Sequence, residues 1–167
     1  MLKNLWRKLP LQTRETLYLR GFGLTKIPLL LSVSPSIIRL TEEQCEVKIP
    51  LNWFTKNHLN SMYFGALCVG ADCAGGMIAV RALEEKKLPI GFVFKDMKAQ
   101  FLKRAEGDVH FLCVQGREIH ELLEKAMNTG QRENLPVKIV CTCPSLSNEP
   151  VAEFELNLSV KKLKVDK

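Results

Sequence analysis

The 167-residue chain has only three histidines, and they are scattered. It has no Cys-x-x-Cys pair and no His-Glu-x-x-His run, so the spacings of common zinc sites are absent and no metal is expected. Aromatic residues make up 7% of the chain and are not interleaved with its basic residues, which argues against a nucleic-acid surface. There is no internal repeat and no low-complexity tract. No stretch reads as the roughly 20 apolar residues of a membrane-spanning helix. The longest apolar run near the start, Ile27 to Leu31, is interrupted by Pro28 and comes too late for a secretory signal, so a cytoplasmic protein is expected.

What remains is an ordinary mixture, 46% hydrophobic and 25% charged, long enough for one core. The six cysteines (45, 68, 73, 113, 141 and 143) fall inside apolar patterns, where a free thiol acts as a small hydrophobe. Reduced core thiols are therefore expected. Of the net charge of +6, residues 1–26 carry +5, from Lys3, Arg7, Lys8, Arg14, Arg20 and Lys26 against Glu15. A basic helical arm over residues 1–31 follows, with Leu2, Leu5, Trp6 and Leu9 at helical spacing and Thr13–Leu19 as a second segment before Gly21 and Gly23. Such an arm suits packing on the domain or a peripheral membrane contact. Residues 32–167 would form the domain proper.

The longest helical signal is Asn57 to Ala82, apolar or small on nearly every side, with Asn57 or Asn60 able to cap its start. It carries one carboxylate, Asp72, which is costly in a core unless bonded or used. Around it, Ser36–Leu40 and Gln44–Ile49 read as a hairpin, and residues 91–105 as a long strand. Val109–Val114, Val137–Cys143 and Ala152–Lys161 alternate as further strands. Residues 117–129 form an inserted amphipathic helix ended by Gly130. The charged outer face of the last strand would discourage edge pairing. The expected class is α+β, an antiparallel sheet wrapped around one central helix.

These residues resemble the hotdog-fold thioesterase superfamily, in particular its phenylacetyl-CoA thioesterase type. Asn57 is followed fifteen residues later by Asp72, as in that pattern, and Ala71-Asp72-Cys73-Ala74 resembles its Ala-Asp-Thr-Ala. Residues 94–108 resemble the sheet segment that precedes a Gly-Asp pair. The wording NHLNSMYFGAL is similar to an uncharacterised hotdog branch known only as a domain of unknown function. The likeness spans about Pro35 to Lys162. Two positions depart from it: the family His-Gly is Tyr63-Phe64 here, and its earlier glycine is Asn60.

The resemblance implies an acyl-CoA or acyl-carrier thioesterase that needs no cofactor beyond the coenzyme A of its substrate. Asp72 would be general base or nucleophile, Asn57 would orient substrate or water, and the backbone at Gly65 would hold the thioester oxygen at the helix start. Asn60, Tyr63, Phe64 and Cys68 would line the acyl site, with Lys95, Lys98 and Arg104 as contacts for coenzyme A phosphates. A homodimer or dimer of dimers, with substrate between protomers, is also implied. Two alternatives stay open. Asp72 could instead bond a packed neighbour, with Gly75 and Gly76 permitting close helix–sheet contact. The whole domain could be a non-catalytic hotdog module that binds an acyl group, a lipid or a partner protein.

Overall fold

Alternating apolar residues build a sheet whose inner face is closed by one helix. The computed structural model describes residues 9–163. In chain order they form α1 (Leu11–Lys26), α2 (Leu29–Ser32), β1 (Ser36–Leu40), β2 (Cys45–Ile49) and α3 (Phe64–Glu85). There follow β3 (Ile90–Phe101), β4 (Val109–Cys113), α4 (Gly116–Thr129), β5 (Glu133–Cys143) and β6 (Ser147–Lys162). The six strands form one antiparallel sheet in the order β1-β2-β4-β5-β6-β3. Cys45, Val47 and Ile49 face Cys113, Phe111 and Val109 across β2 and β4, and all six are buried.

Helix α3 lies against the inner face of this sheet, with Ala71, Ala74, Met77 and Ile78 in the core. It can approach closely because Gly70 receives the ring of Phe111: a Cβ there would lie 2.3 Å from the ring. Contrary to the sequence reading, α3 is long and apolar enough to cross a membrane by length and composition. Most of its surface is buried within the domain, which identifies it as the core helix. It starts at Phe64 rather than Asn57 and runs on to Glu85.

Helix α4 is the amphipathic element that periodicity predicted, and Gly130 ends it with φ 66°. Helix α1, by contrast, does not loosen at Gly21 and Gly23. Gly23 is buried, and its bare Cα lets α2 fold back so that Leu30 Cβ lies 3.3 Å from where a side chain would start. The expected helix around Leu2, Leu5 and Trp6 lies outside the described residues.

The two margins of the sheet differ. At β1, side chains of α1 bond backbone groups of the strand and of the residue just before it. Thr16 Oγ1 accepts from the Ile37 N–H at 2.9 Å, Gln12 Nε2 donates to the Ile38 carbonyl at 2.9 Å, and Arg20 Nε donates to the Pro35 carbonyl at 3.0 Å. At β3, only the β6 side is paired among the described residues. The edge strand is thus β3, with a register shift between Phe94 and Met97, while the charged last strand β6 is interior. The strand also stops at Phe101, four residues before the expected end.

Candidate functional site

Residues 50–63 form a hydrogen-bonded loop that delivers the chain to the start of α3. Its first turn is closed by Asn52, whose Oδ1 accepts from the Phe54 N–H at 2.9 Å, and by buried Thr55, whose hydroxyl donates to the Pro50 carbonyl at 2.7 Å. Its second turn is closed by Asn57. Asn57 Oδ1 accepts from the Leu59 N–H at 2.8 Å and the Ser61 N–H at 3.3 Å, and Nδ2 donates to Ser61 Oγ at 3.1 Å. Asn60 sits in that turn with φ 60°, a conformation that favours glycine and tolerates asparagine. This accounts physically for the glycine that the resembled pattern carries there. The loop is tied to the end of the long strand by Met62 N–H, which donates to the Ala105 carbonyl at 2.8 Å.

Neither asparagine caps the helix. The N-cap is Tyr63, in extended backbone, and no side chain caps it. The next two N–H groups, of Phe64 and Gly65, have no acceptor among the described residues. They lie at the positive end of a 22-residue helix, where unpaired donors favour a developing negative charge.

A cleft of about 520 Å³ opens beside this terminus. Asn57, Tyr63 and Phe64 line one side and Phe101 to Ala105, Arg104 among them, the other. Aromatic contacts stiffen the wall: the Tyr63 and Phe64 rings are 4.7 Å apart, and Phe64 meets Phe101 edge-on at 6.4 Å. Ser61, His58 and Leu102 also line it. Ser61 went unnoticed in the sequence; its only signal is its place four residues after Asn57, within one turn. Lys103 is at the mouth and ion-pairs with Glu149.

The other expected residues lie elsewhere. The open side of Gly65 is filled by its neighbour, since a Cβ there would be 2.5 Å from the Tyr63 ring. Asn60 is exposed in its turn, outside the cleft wall. Cys68 and Asp72 are partly buried one and two turns further along α3. With a rise of about 1.5 Å per residue, Asp72 is about 12 Å along the axis from Phe64. Burial raises the Asp72 pKa above the usual carboxylate value, and its oxygens have no hydrogen-bond partner among the described residues. The packed neighbour envisaged as its partner is not found there. Gly75 and Gly76 do serve close packing: the Phe94 ring lies 3.4 Å and 3.7 Å from where their Cβ atoms would be. Lys95 and Lys98 stand exposed on β3, and Lys98 pairs with Glu155 at 3.1 Å, away from the cleft.

All six cysteines are free; five are buried and Cys68 is partly exposed. Among the described residues, no three His, Cys, Asp or Glu side chains come together as a metal cage. His110, for which the sequence suggested no partner, has Nδ1 2.7 Å from Glu46 Oε1 on the outer sheet face.

A central helix cradled by six antiparallel strands is the hotdog fold, and solved structures bear this out. PA5026 from Pseudomonas aeruginosa, a protein of unknown function and probable thioesterase, superposes with TM-score 0.74 at 22% identity, over 93% of this chain and 97% of its own. The thioesterase HI1161 from Haemophilus influenzae gives 0.65 at 17% identity, over 98% and 99%. OLEI01261 from Chlorobaculum tepidum, also of unknown function, gives 0.78 at 12% identity, over 91% and 97%. Residues 16–160 match the family model of DUF4442, a domain of unknown function, and the chain belongs to that family. No curated protein matches it.

Proposed function

We propose that the protein hydrolyses acyl thioesters of coenzyme A or an acyl carrier, with the thioester carbonyl held by the Phe64 and Gly65 N–H groups. The observation that carries this reading is the unpaired Phe64 N–H at the start of α3, beside an apolar-walled cleft that Phe64 and Arg104 both line. Donors fixed in place stabilise the oxyanion of a tetrahedral intermediate without reorganising. The aromatic wall suits an apolar acyl group, and Arg104 suits a coenzyme A phosphate.

Asp72 is the base. Its carboxylate takes a proton from water, the resulting hydroxide adds to the carbonyl carbon, and collapse of the intermediate breaks the C–S bond as Asp72 returns its proton to the leaving sulfur, which departs as the thiol. Burial makes this carboxylate a stronger base than an exposed one. About 12 Å along one helix is too far for a water to bridge base and carbonyl. The reaction therefore runs between two copies, with the helix start of one facing Asp72 of the other. The unpaired edge of β3 supplies a seam on which two sheets join.

A panel of acyl-CoAs of different chain length and head group tests this. Turnover is expected with at least one, and Asp72→Asn should lower it by about 10²–10⁴, the usual contribution of general-base catalysis. Unchanged turnover in the variant removes Asp72 from the mechanism. No turnover by wild-type protein with any acyl thioester would leave the fold as a non-catalytic binding module. A monomer by light scattering, if active, would refute the two-copy arrangement.

A further inference from the structure

The antiparallel registers bring six chain segments to one end of the sheet. Ser36 opposite Lys48, Ile49 opposite Val109, Cys143 opposite Ser147, and Phe101 opposite Ala152 put the start of β1, the 50–63 loop, residues 102–108 and the 144–146 turn together. Helix α1 runs antiparallel to β1, with Gln12 at Ile38 and Arg20 at Pro35, so its last turn and α2 reach the same end. These connections carry large apolar side chains in solvent. Trp53 and Phe54 are 76% and 75% exposed, and Leu24, Leu29, Leu102 and Leu146 are also exposed. The connections at the other end, Thr41-Glu42-Glu43-Gln44 and Lys86-Lys87, are mostly charged; Val114 and Leu163 are exposed there singly, with no aromatic side chain beside them.

The Trp53–Phe54 tip is rigid as well as exposed. The two rings meet edge to face at 4.9 Å, and the turn beneath is closed by the Asn52 and Thr55 hydrogen bonds described above. A rigid aromatic tip loses little conformational freedom on binding. The same end carries exposed Lys26, Lys56, Lys103 and Arg104 against Glu106 and Glu149, with Asp108 neutralised by Lys48, which leaves the end net positive. Exposed aromatic and leucine side chains within a basic rim match a membrane interface: rings at the headgroup level, cations at acidic headgroups.

We propose that this end of the sheet docks on an anionic lipid bilayer, with Trp53 and Phe54 entering the boundary between headgroups and acyl chains. The inference goes beyond the thioesterase reading and stands or falls separately from it. The cleft lined by residues 57–67 and 101–105 opens from the same connections. Docking would thus bring its mouth near amphiphilic molecules in the bilayer.

The test uses the full chain carrying Trp6→Phe, in which Trp53 is the only tryptophan. It is mixed with vesicles of phosphatidylcholine with and without phosphatidylserine. With phosphatidylserine, Trp53 emission should shift to the blue and be quenched by acyl-chain-brominated lipid. In otherwise wild-type protein, Trp53→Ala with Phe54→Ala should cut vesicle binding about tenfold or more. Both side chains are exposed, so circular dichroism should show the double variant folded. A Lys56→Glu variant should weaken binding only to the anionic vesicles. Absence of quenching, or undiminished binding by the folded double variant, overturns the proposal. Dissociation of an oligomer by the double substitution overturns it too, because the face would then join copies of the chain.

Discussion

Gly70 and Gly76 both lie inside α3, yet alanine should have opposite effects at the two positions. An alanine in a helix interior gains about 1 kcal/mol over glycine. At Gly76 the nearest atoms to a new Cβ are Phe94 Cε2 at 3.7 Å and Phe92 Cε2 at 3.9 Å, ordinary contacts, so most of that gain should be realised. At Gly70 the new Cβ would lie 2.3, 2.5 and 2.6 Å from three atoms of the Phe111 ring. Carbon atoms pack best at about 3.5–4.0 Å, so the ring would have to retreat by more than an ångström. Phe111 is fully buried between Val47 and Cys141 on the neighbouring strands and has no outlet to solvent. Overpacking of this kind costs about 1–3 kcal/mol, and three short contacts place it near the top of that range. The net effect of Gly70→Ala is then a loss of about 2 kcal/mol, a fall in Tm of roughly 4–8 °C for a domain of this size. In a Phe111→Leu background the clash is relieved, and the same substitution should stabilise. Urea melts of the four proteins at one protein concentration measure the coupling directly, expected at about 3 kcal/mol. A Gly70→Ala protein as stable as wild type, beside a Gly76→Ala protein that gains nothing, would refute the packing of α3 on β4.

Asp72 gives a pH-dependent expectation. Because burial raises its folded pKa, the native state keeps a proton that the unfolded chain has lost, so this group makes stability fall as pH rises above the ordinary carboxylate range. Asp72→Asn should therefore be more stable than wild type at neutral pH and equal to it in acid; denaturant melts at both pH values check this. For the thiols, burial raises the Cys68 pKa, so a chromogenic disulfide reagent should modify it more slowly than a free thiol but ahead of the five buried cysteines, which react only on unfolding, and Cys68→Ser should abolish that first phase. Asn57→Ala removes three hydrogen bonds that close the second turn of the loop, and should cost about 1–3 kcal/mol by thermal melts.

Helix α4 and the strands were legible because their apolar residues recur at a single period. The start of α3 was not. Residues 57–63 have the composition of a helix entry, but Asn57 draws their N–H groups into its own turn and Met62 pairs with Ala105. That pairing spans 43 residues of sequence and also creates the cleft, so local patterns carry no trace of it. Close helix–sheet contact at Gly75 and Gly76 was legible as one reading, but not its partner, because Phe94 comes from the next strand. Likewise, β6 looked like an edge because its outer residues are charged. Strand order, which alternation does not encode, assigns that role to β3.

The unequal margins of the sheet limit how many copies can join through it. A subunit whose strands were open at both margins would have a valence of two and could add neighbours without end, as fibrils do. Here Gln12 and Thr16 bond the Ile38 carbonyl and the Ile37 N–H, and Arg20 the Pro35 carbonyl just before the strand, so among the described residues β3 is the margin without such cover. If two copies join through β3, a covered β1 would end growth along the sheet at the pair. A larger assembly has to use some surface other than a strand. Helix α1 would then act as a chain terminator, and breaking its bonds to this margin with Gln12→Ala and Thr16→Val should open β1 to further pairing, read as larger species by light scattering.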